Sequence, residues 1–155
     1  MVIDSPGDTR AASMGGMLVT RMMKRGVRAV VIDGALRDGG ELATLDFPSW
    51  SAAITVTTRL SYHHVADLQV PITCAGVAVY PGDVMHSDGD NVIVVPATWA
   101  AEMADLCESR DALEGYVALR IQRGESLWGL YPASEETRAQ YREWLTRGSP
   151  ALDRI

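Results

Sequence analysis

The chain has 155 residues, which is typical of a single domain and long enough to enclose a hydrophobic core. Apolar residues make up 47% and charged residues 22%, so the composition is globular and excludes a disordered chain. Acidic residues outnumber basic ones 20 to 14, and no apolar run approaches the roughly 20 residues of a membrane span. We therefore expect a cytoplasmic protein that binds neither nucleic acid nor membrane.

The first third of the chain predicts a βαβ unit. Residues 1–4 form a short apolar run typical of a strand, and residues 15–26 have the spacing and the closing glycine of a helix. Residues 29–32 are an unbroken apolar run, which predicts a strand buried on both faces and ended by a turn at residues 33–34. Short connections between these elements predict that the two strands pair in parallel.

The middle of the chain is rich in predicted strands. Residues 54–57 alternate between apolar and polar, and residues 77–80 form a strand after a bend at residues 74–76. A further buried strand is predicted over residues 92–95, where Pro96 ends it.

The last third of the chain is predicted to be helical. One helix begins near Thr98 and ends at Gly124, and a second begins at Ser134 and ends at Gly148. No linker separates these helices from the strands. The sequence therefore predicts one α/β domain over residues 1–147, with a tail over residues 148–155.

Two short segments could carry chemistry. The glycines that precede Met17 and Leu18 expose backbone N–H groups at a predicted helix start, which favours an anion site, although a tight loop would also need them. Arg37 and Asp38 follow a buried strand, where ligands bind in parallel sheets, but such a pair is also common on a surface. Whether the two segments reach one crevice depends on the path of the chain.

Other chemistries are disfavoured by the residues present. The chain has one lysine, Lys24, at a polar helix end, which argues against Schiff-base catalysis. Cys74 and Cys107 lie far apart and no histidine has a partner at zinc spacing, so we expect two buried, reduced thiols and no zinc site.

Five short segments, each containing at least one glycine, follow one another along the chain. They are residues 7–12 (GDTRAA), 15–18 (GGML), 31–38 (VIDGALRD), 74–84 (CAGVAVYPGDV) and 129–132 (GLYP). From about Ile3 to Trp144 the chain thereby resembles the RraA-like family, which includes 4-hydroxy-4-methyl-2-oxoglutarate aldolases and regulators of ribonuclease E activity.

The resemblance implies a fold and a site. The fold is a swivelling β/β/α-type RraA-like domain, and the site is that of a divalent-metal pyruvate aldolase. Asp38 would anchor Mg²⁺ or Mn²⁺, with waters completing the shell. Arg37 would bind the keto oxygen, and backbone N–H groups at Gly15, Gly16, Met17 and Leu18 would hold the carboxylate of a small 2-keto acid.

The resemblance also implies a ring-shaped homotrimer or a hexamer. Three tryptophans in the last third of the chain, Trp99, Trp128 and Trp144, favour a surface kept for a partner subunit. Glu114 is a possible counterpart of the acidic residue that a neighbouring subunit lends to the metal waters.

The chain departs from the family pattern in two places. Family aldolases have an acidic residue about twenty positions before the Arg-Asp pair, where this chain has Gly16. The family's N-terminal portion has no counterpart before Met1, so we expect an N-terminally truncated domain.

The resemblance implies a carbon–carbon lyase, either a divalent-metal-dependent pyruvate aldolase or an oxaloacetate decarboxylase, that works through a metal-stabilised enolate. The alternatives are a non-catalytic regulator that binds ribonuclease E and an inactive truncated paralogue. Regulator members tend to lose the aspartate of the pair, so Asp38 favours the enzyme.

Overall fold

The computed structural model describes residues 1–149, and the chain divides into two compact units, Met1–Ala97 and Thr98–Ile155. The single domain predicted over residues 1–147 stays a prediction, and all but the first two residues of the predicted tail lie outside the described part. Within residues 1–149, no helix is long and apolar enough to cross a membrane.

The first unit is built on a four-stranded parallel sheet, which confirms the predicted βαβ unit. Its elements are β1 (Val2–Ile3), β2 (Ala12–Met14), α1 (Gly16–Lys24), β3 (Val30–Leu36), α2 (Gly39–Leu42) and β4 (Ser49–Ile54). Strand β3 pairs with β1 along its first half, with β2 along its second half and with β4 along most of its length.

The core of this unit lies between the sheet and helix α1. Val19 of α1 and Val30 of β3 are fully buried, and Leu36 and Phe47 extend the same cluster. Full burial of such a side chain stabilises the fold by about 1.5–3 kcal/mol. The central strand and the helix that follows β2 are therefore held firmly in place.

Strand β3 differs from its prediction because it continues through Asp33 and Gly34 instead of turning there. The Asp33 carboxylate accepts hydrogen bonds from the backbone N–H groups of Ser5 (2.7 Å) and Ala75 (3.3 Å), so this polar residue is satisfied inside the strand. A Cβ on Gly34 would lie 2.6 Å from Ser5 Cβ, so the glycine is needed for a close approach of two segments.

Strand β4 also differs from its prediction. The predicted strand covers residues 54–57, whereas β4 ends at Ile54. Ser49 pairs with Val30 and Ile54 with Leu36, so the register along β3 fixes the bounds of β4. Val56, inside the predicted strand, is 91% exposed.

Two antiparallel hairpins complete the first unit. Strands β5 (Ile72–Cys74) and β6 (Val77–Val79) flank the predicted bend, and β7 (Val84–Ser87) pairs with β8 (Val92–Val95). Strand β8 forms as predicted but is not buried, because it belongs to a two-stranded ribbon outside the parallel sheet, and Ile93 is 48% exposed.

The second unit is helical, as predicted. It contains α3 (Ala100–Gln122) and α4 (Glu135–Thr146), and the Ser134 hydroxyl caps α4 by accepting a hydrogen bond from the Thr137 N–H (3.1 Å). Its buried cluster is small and centres on Tyr116, Val117 and Leu130.

The two thiols differ in burial. Cys74 of β5 is buried as predicted, whereas Cys107 is exposed on α3. The prediction for Cys107 was wrong because the described core of the second unit covers only the second half of α3.

Candidate active site

Strands β2 and β3 bring the two sequence segments with candidate chemistry to the same edge of the sheet. Met14 pairs with Leu36 in parallel, so the residues that follow both strands emerge side by side. The Arg37 N–H donates a hydrogen bond to the Met14 carbonyl oxygen (3.0 Å). The three-residue strand β2, which the sequence did not predict, is what places the start of α1 beside Arg37.

The Asp38 carboxylate lies against the N-terminus of α1. Its Oδ2 accepts a hydrogen bond from the Gly16 N–H (3.0 Å) and lies 3.3 Å from Arg37 Nε. Asp38 has a left-handed backbone (φ 63°), which aspartate tolerates better than most residues. The helix dipole and the guanidinium both attract the Asp38 carboxylate to this position.

Glycine is needed twice at this helix start. A Cβ on Gly15 would lie 2.7 Å from both Cγ and Nε of Arg37, and a Cβ on Gly16 would run into the carboxylate of Glu41. Sequence reasoning did not select Glu41, which lies on the short helix α2. No sequence signal links Glu41 to Gly16, since only the fold brings them together.

The backbone donors predicted to hold a carboxylate are partly engaged. The Gly16 N–H bonds Asp38, and the Leu18 N–H bonds the Gly15 carbonyl oxygen (3.1 Å). The N–H groups of Gly15 and Met17 make no hydrogen bond with any described residue. They are therefore the donors most available to an incoming anion.

A small cleft of about 230 Å³ opens beside these residues. Arg37 and the backbone of Gly15 line it together with apolar side chains, and none of its described lining residues is acidic. Ligand pockets for drug-sized molecules measure about 300–1,000 Å³, so this cleft favours a small anion. Arg59, which the sequence analysis did not select, lines the same cleft.

The carboxylate of Asp38 fits a hard divalent cation. Both of its contacts fall on Oδ2, and Oδ1 makes no hydrogen bond or ion pair with the described residues. Among residues 1–149, no group of three or more His, Cys, Asp or Glu side chains could hold a metal. A cation here would take Asp38 as its ligand from this unit and keep several waters, as Mg²⁺ commonly does.

The sequence analysis named two further residues, Lys24 and Glu114. Lys24 ends α1, so it is about 12 Å along the helix axis from Gly16 and far from the cleft. Glu114 lies on α3 of the second unit, where its carboxylate accepts a hydrogen bond from Arg110 Nε (3.1 Å). The role of Glu114 across a subunit boundary stays a prediction.

Comparison with known proteins identifies the family. The family model "RraA-like: Aldolase/RraA" matches residues 1–94, which is more than half of the chain, and the chain belongs to this family. A protein of Halalkalibacterium halodurans named "Putative 4-hydroxy-4-methyl-2-oxoglutarate aldolase" is 33% identical over 96 residues, 62% of this chain and 45% of that protein. One of the same name from Pseudomonas fluorescens is 32% identical over 97 residues, 63% of this chain and 59% of that protein.

Solved structures agree on the fold. A protein from Pseudomonas syringae pv. tomato superposes with a TM-score of 0.80 at 25% identity, over 84% of this chain and 65% of that one. Streptomyces coelicolor RraAS2, described as an unusual member of the RNase ES inhibitor RraA protein family, gives 0.71 at 28% identity, over 77% and 61%. The α/β RraA-like fold is thereby confirmed, and the chain spans about half the length of the curated relatives it matches.

Proposed function

We propose that this chain carries the site of a divalent-metal-dependent carbon–carbon lyase that cleaves small 2-keto acids to pyruvate. The observation that supports it most is the joint placement of Arg37 and Asp38 at the N-terminus of α1, beside a small cleft without acidic walls. The relatives named as 4-hydroxy-4-methyl-2-oxoglutarate aldolases support the same reaction class.

The reaction breaks the bond between C3 and C4 of the keto acid. The electron pair of that bond moves to C3 and gives the enolate of pyruvate. C4 leaves either as a carbonyl group, with its hydroxyl proton taken up by water, or as carbon dioxide. Negative charge thus develops on the former keto oxygen. A proton then adds to C3 and releases pyruvate.

The residues of the cleft suit this charge movement. Arg37 would donate hydrogen bonds to the keto oxygen as it becomes anionic, and the Met17 N–H would bind the adjacent carboxylate. Since Gly15 has no side chain, Arg37 can lie flat against the helix start. Asp38 holds Arg37 through its Oδ2, which lies 3.3 Å from Arg37 Nε.

Mg²⁺ or Mn²⁺ would be held by Asp38 through the free Oδ1 and by waters. Bound there, a divalent cation supplies Lewis-acid polarisation of the keto group. Lys24 lies at the far end of α1, which argues against a covalent mechanism.

A regulator that binds ribonuclease E is the second candidate, because the chain superposes on RraAS2 with a TM-score of 0.71. A regulator needs no keto-acid chemistry. The regulator hypothesis predicts that variants of Arg37 and Asp38 still inhibit ribonuclease E. The lyase proposal predicts that the same variants lose most of their activity on keto acids.

We further propose that the protein assembles as a homotrimer or hexamer. Trp99 and Trp128 are 61% and 93% exposed, which supports a covered surface in an assembly. Trp144, which the sequence analysis grouped with them, instead packs against Tyr116 inside the second unit (ring centroids 5.2 Å apart). Sedimentation should give a multiple of the chain mass, and a stable, active monomer would rule this out.

The lyase proposal is tested with oxaloacetate and 4-hydroxy-4-methyl-2-oxoglutarate, with and without metal. We expect activity with Mg²⁺ or Mn²⁺, loss in EDTA, and no pyruvate adduct that borohydride traps. Asp38→Asn should abolish most metal binding, measured by calorimetry, while the fold is kept, because asparagine also tolerates the left-handed backbone. Asp90→Asn, in an exposed turn, is the matched control; metal dependence that survives Asp38→Asn would place the site elsewhere.

A further inference from the structure

The cleft beside Arg37 contains a second guanidinium. Arg59 lines it with Arg37, Thr58 and Leu60. Arg37 is paired with Asp38, whereas Arg59 makes no side-chain hydrogen bond or ion pair with any residue between 1 and 149. With no acidic residue among the described lining, the cleft carries an uncompensated positive charge.

The backbone of Arg59 is fixed on both sides. Two residues that precede Arg59 in the chain are bound to Ala12. The Thr57 carbonyl oxygen accepts a hydrogen bond from the Ala12 N–H (2.9 Å), and Thr58 forms a parallel bridge with Ala12. The bridge ties this segment to strand β2, whose end leads into the cleft. Arg59 is therefore placed by the sheet and does not simply lie in a free loop.

After Arg59, two side-chain contacts hold the chain. His63 Nε2 lies 3.1 Å from Asp8 Oδ2, and the Arg10 guanidinium stacks over the Tyr62 ring at 5.3 Å. The N–H of His63 also donates to the Arg59 carbonyl oxygen (2.8 Å), which closes a tight turn around Arg59. A residue fixed in this way loses little backbone freedom when it binds a ligand.

We propose that Arg59 is a specificity residue that binds a second carboxylate of the substrate, an inference that rests on the function proposed above. Arg37 and the Met17 N–H serve the 2-keto carboxylate end of the ligand. The uncompensated guanidinium of Arg59 then selects a 2-keto dicarboxylate over a monocarboxylate of the same length.

This role favours one of the two lyase reactions. In aldol cleavage of a 4-hydroxy-2-oxo dicarboxylate, the C3–C4 bond breaks, its electron pair moves to C3, and water takes the hydroxyl proton as C4 becomes a carbonyl. The second carboxylate keeps its charge throughout. An arginine bound to it stabilises substrate and transition state equally, which lowers KM and leaves kcat unchanged.

Decarboxylation of oxaloacetate places a different demand on the same group. There the second carboxylate itself leaves as carbon dioxide, and its negative charge moves to the enolate. An arginine that holds this carboxylate stabilises the ground state more than the transition state, which lowers kcat. Arg59 therefore favours aldol cleavage, and Arg59→Leu should raise KM for the aldol substrate about tenfold without lowering kcat for oxaloacetate.

The decisive experiment measures binding by calorimetry in the presence of Mg²⁺. The probes are 2-oxoglutarate and 2-oxopentanoate, which share five carbons and the 2-keto acid end and differ in the second carboxylate. We expect the wild type to bind 2-oxoglutarate about tenfold more tightly, or ~1.4 kcal/mol. In Arg59→Leu the ratio of the two dissociation constants should fall to about one, and Arg59→Lys should keep part of it.

Arg28→Leu, an exposed arginine of the same unit outside the cleft, is the matched control and should keep the wild-type ratio. A ratio unchanged in Arg59→Leu, or lost equally in Arg28→Leu, would overturn the role of Arg59. Loss of the ratio in Arg59→Leu in a protein that cleaves no keto acid would support the dicarboxylate site and contradict the lyase proposal. Failure of both probes to bind the wild type would overturn both.

Discussion

The parallel sheet of the first unit and helix α3 of the second bury their apolar residues very differently. In the sheet, Val30, Ile32 and Leu36 are at most 3% exposed, and their strand carries Arg37 directly to the cleft. In α3, apolar residues recur at steps of three and four residues and form a stripe along the helix. Val117 of this stripe is buried, whereas Leu106 is 55% exposed. The strand that leads to the site is thus better buried than the helix.

This contrast shows that the spacing of apolar residues can predict an element without predicting how deeply the element is buried. The stripe on α3 predicted the helix correctly, because a spacing of three and four residues places side chains on one face. What covers that face depends on neighbours that no spacing encodes. In the sheet, the unbroken run of β3 predicted the strand correctly but its burial only in part. Val30 and Ile32 are buried on one face, whereas Val31, which points to the other face, is half-buried, so the prediction of a strand buried on both faces was wrong there.

The largest expected effect comes from a matched pair of leucines, one in each region. Leu36→Ala should lower the free energy of unfolding by about 2–5 kcal/mol, because it leaves a cavity under the site. Leu106→Ala on α3 should change it by less than about 0.5 kcal/mol in the monomer. Urea unfolding measures both. Similar losses in the two variants would remove the distinction between the regions.

Two glycines sharpen the comparison through activity. Gly15→Ala should keep the fold but reduce kcat by about 10²-fold, because the new Cβ would run into the Asp38 carboxylate and the Arg37 side chain and displace both. Gly115→Ala in α3 meets open space and should stabilise the protein by about 0.5–1 kcal/mol with no loss of activity. Steady-state kinetics and thermal unfolding report both. Full activity in Gly15→Ala would show that Arg37 and Asp38 need not lie where the structure places them.

The smallest effect concerns pH. Hydrogen bonds from Arg10 and then from His63 hold the pKa of Asp8 well below its ordinary value of 3.8. A depressed pKa contributes stability above the unfolded value and loses it as pH falls further, so the free energy of unfolding should drop below about pH 4. Asp8→Asn should flatten this acid limb in urea titrations. Arg110→Gln, which breaks an exposed pair on α3, should leave the limb unchanged.

Sequence reasoning predicted the parts of the fold that local chemistry determines. Helix α1 and its closing glycine, the bend at residues 74–76 and the Ser134 cap all follow from turn and cap residues. Strand β2 could not be predicted, because its three residues carry no period. The path through Asp33-Gly34 was missed since its carboxylate is satisfied by Ser5 and Ala75, which are distant in sequence.

The same limit applies to the candidate site. Arg37, Asp38 and the glycines at residues 15–16 were found because adjacent residues display a motif. Arg59 and Glu41 were missed because only the fold brings them to the site. The bridge between Ala12 and Thr58 positions Arg59. The short helix that begins after Asp38 positions Glu41. Neither position has a local pattern that distinguishes it from an ordinary surface charge.

The central claim is that Arg37 stabilises the charge that develops on the keto oxygen, and kcat for Arg37 variants tests it most directly. With saturating Mg²⁺ and 4-hydroxy-4-methyl-2-oxoglutarate or oxaloacetate, Arg37→Ala should lose about 10²–10³-fold in kcat, or ~2.7–4 kcal/mol. Arg37→Lys should lose most of this too, because lysine lacks the planar fork, while metal affinity stays nearly unchanged in both. Rates within about 1 kcal/mol of the wild type in both variants, as expected of an exposed ion pair, would contradict the account.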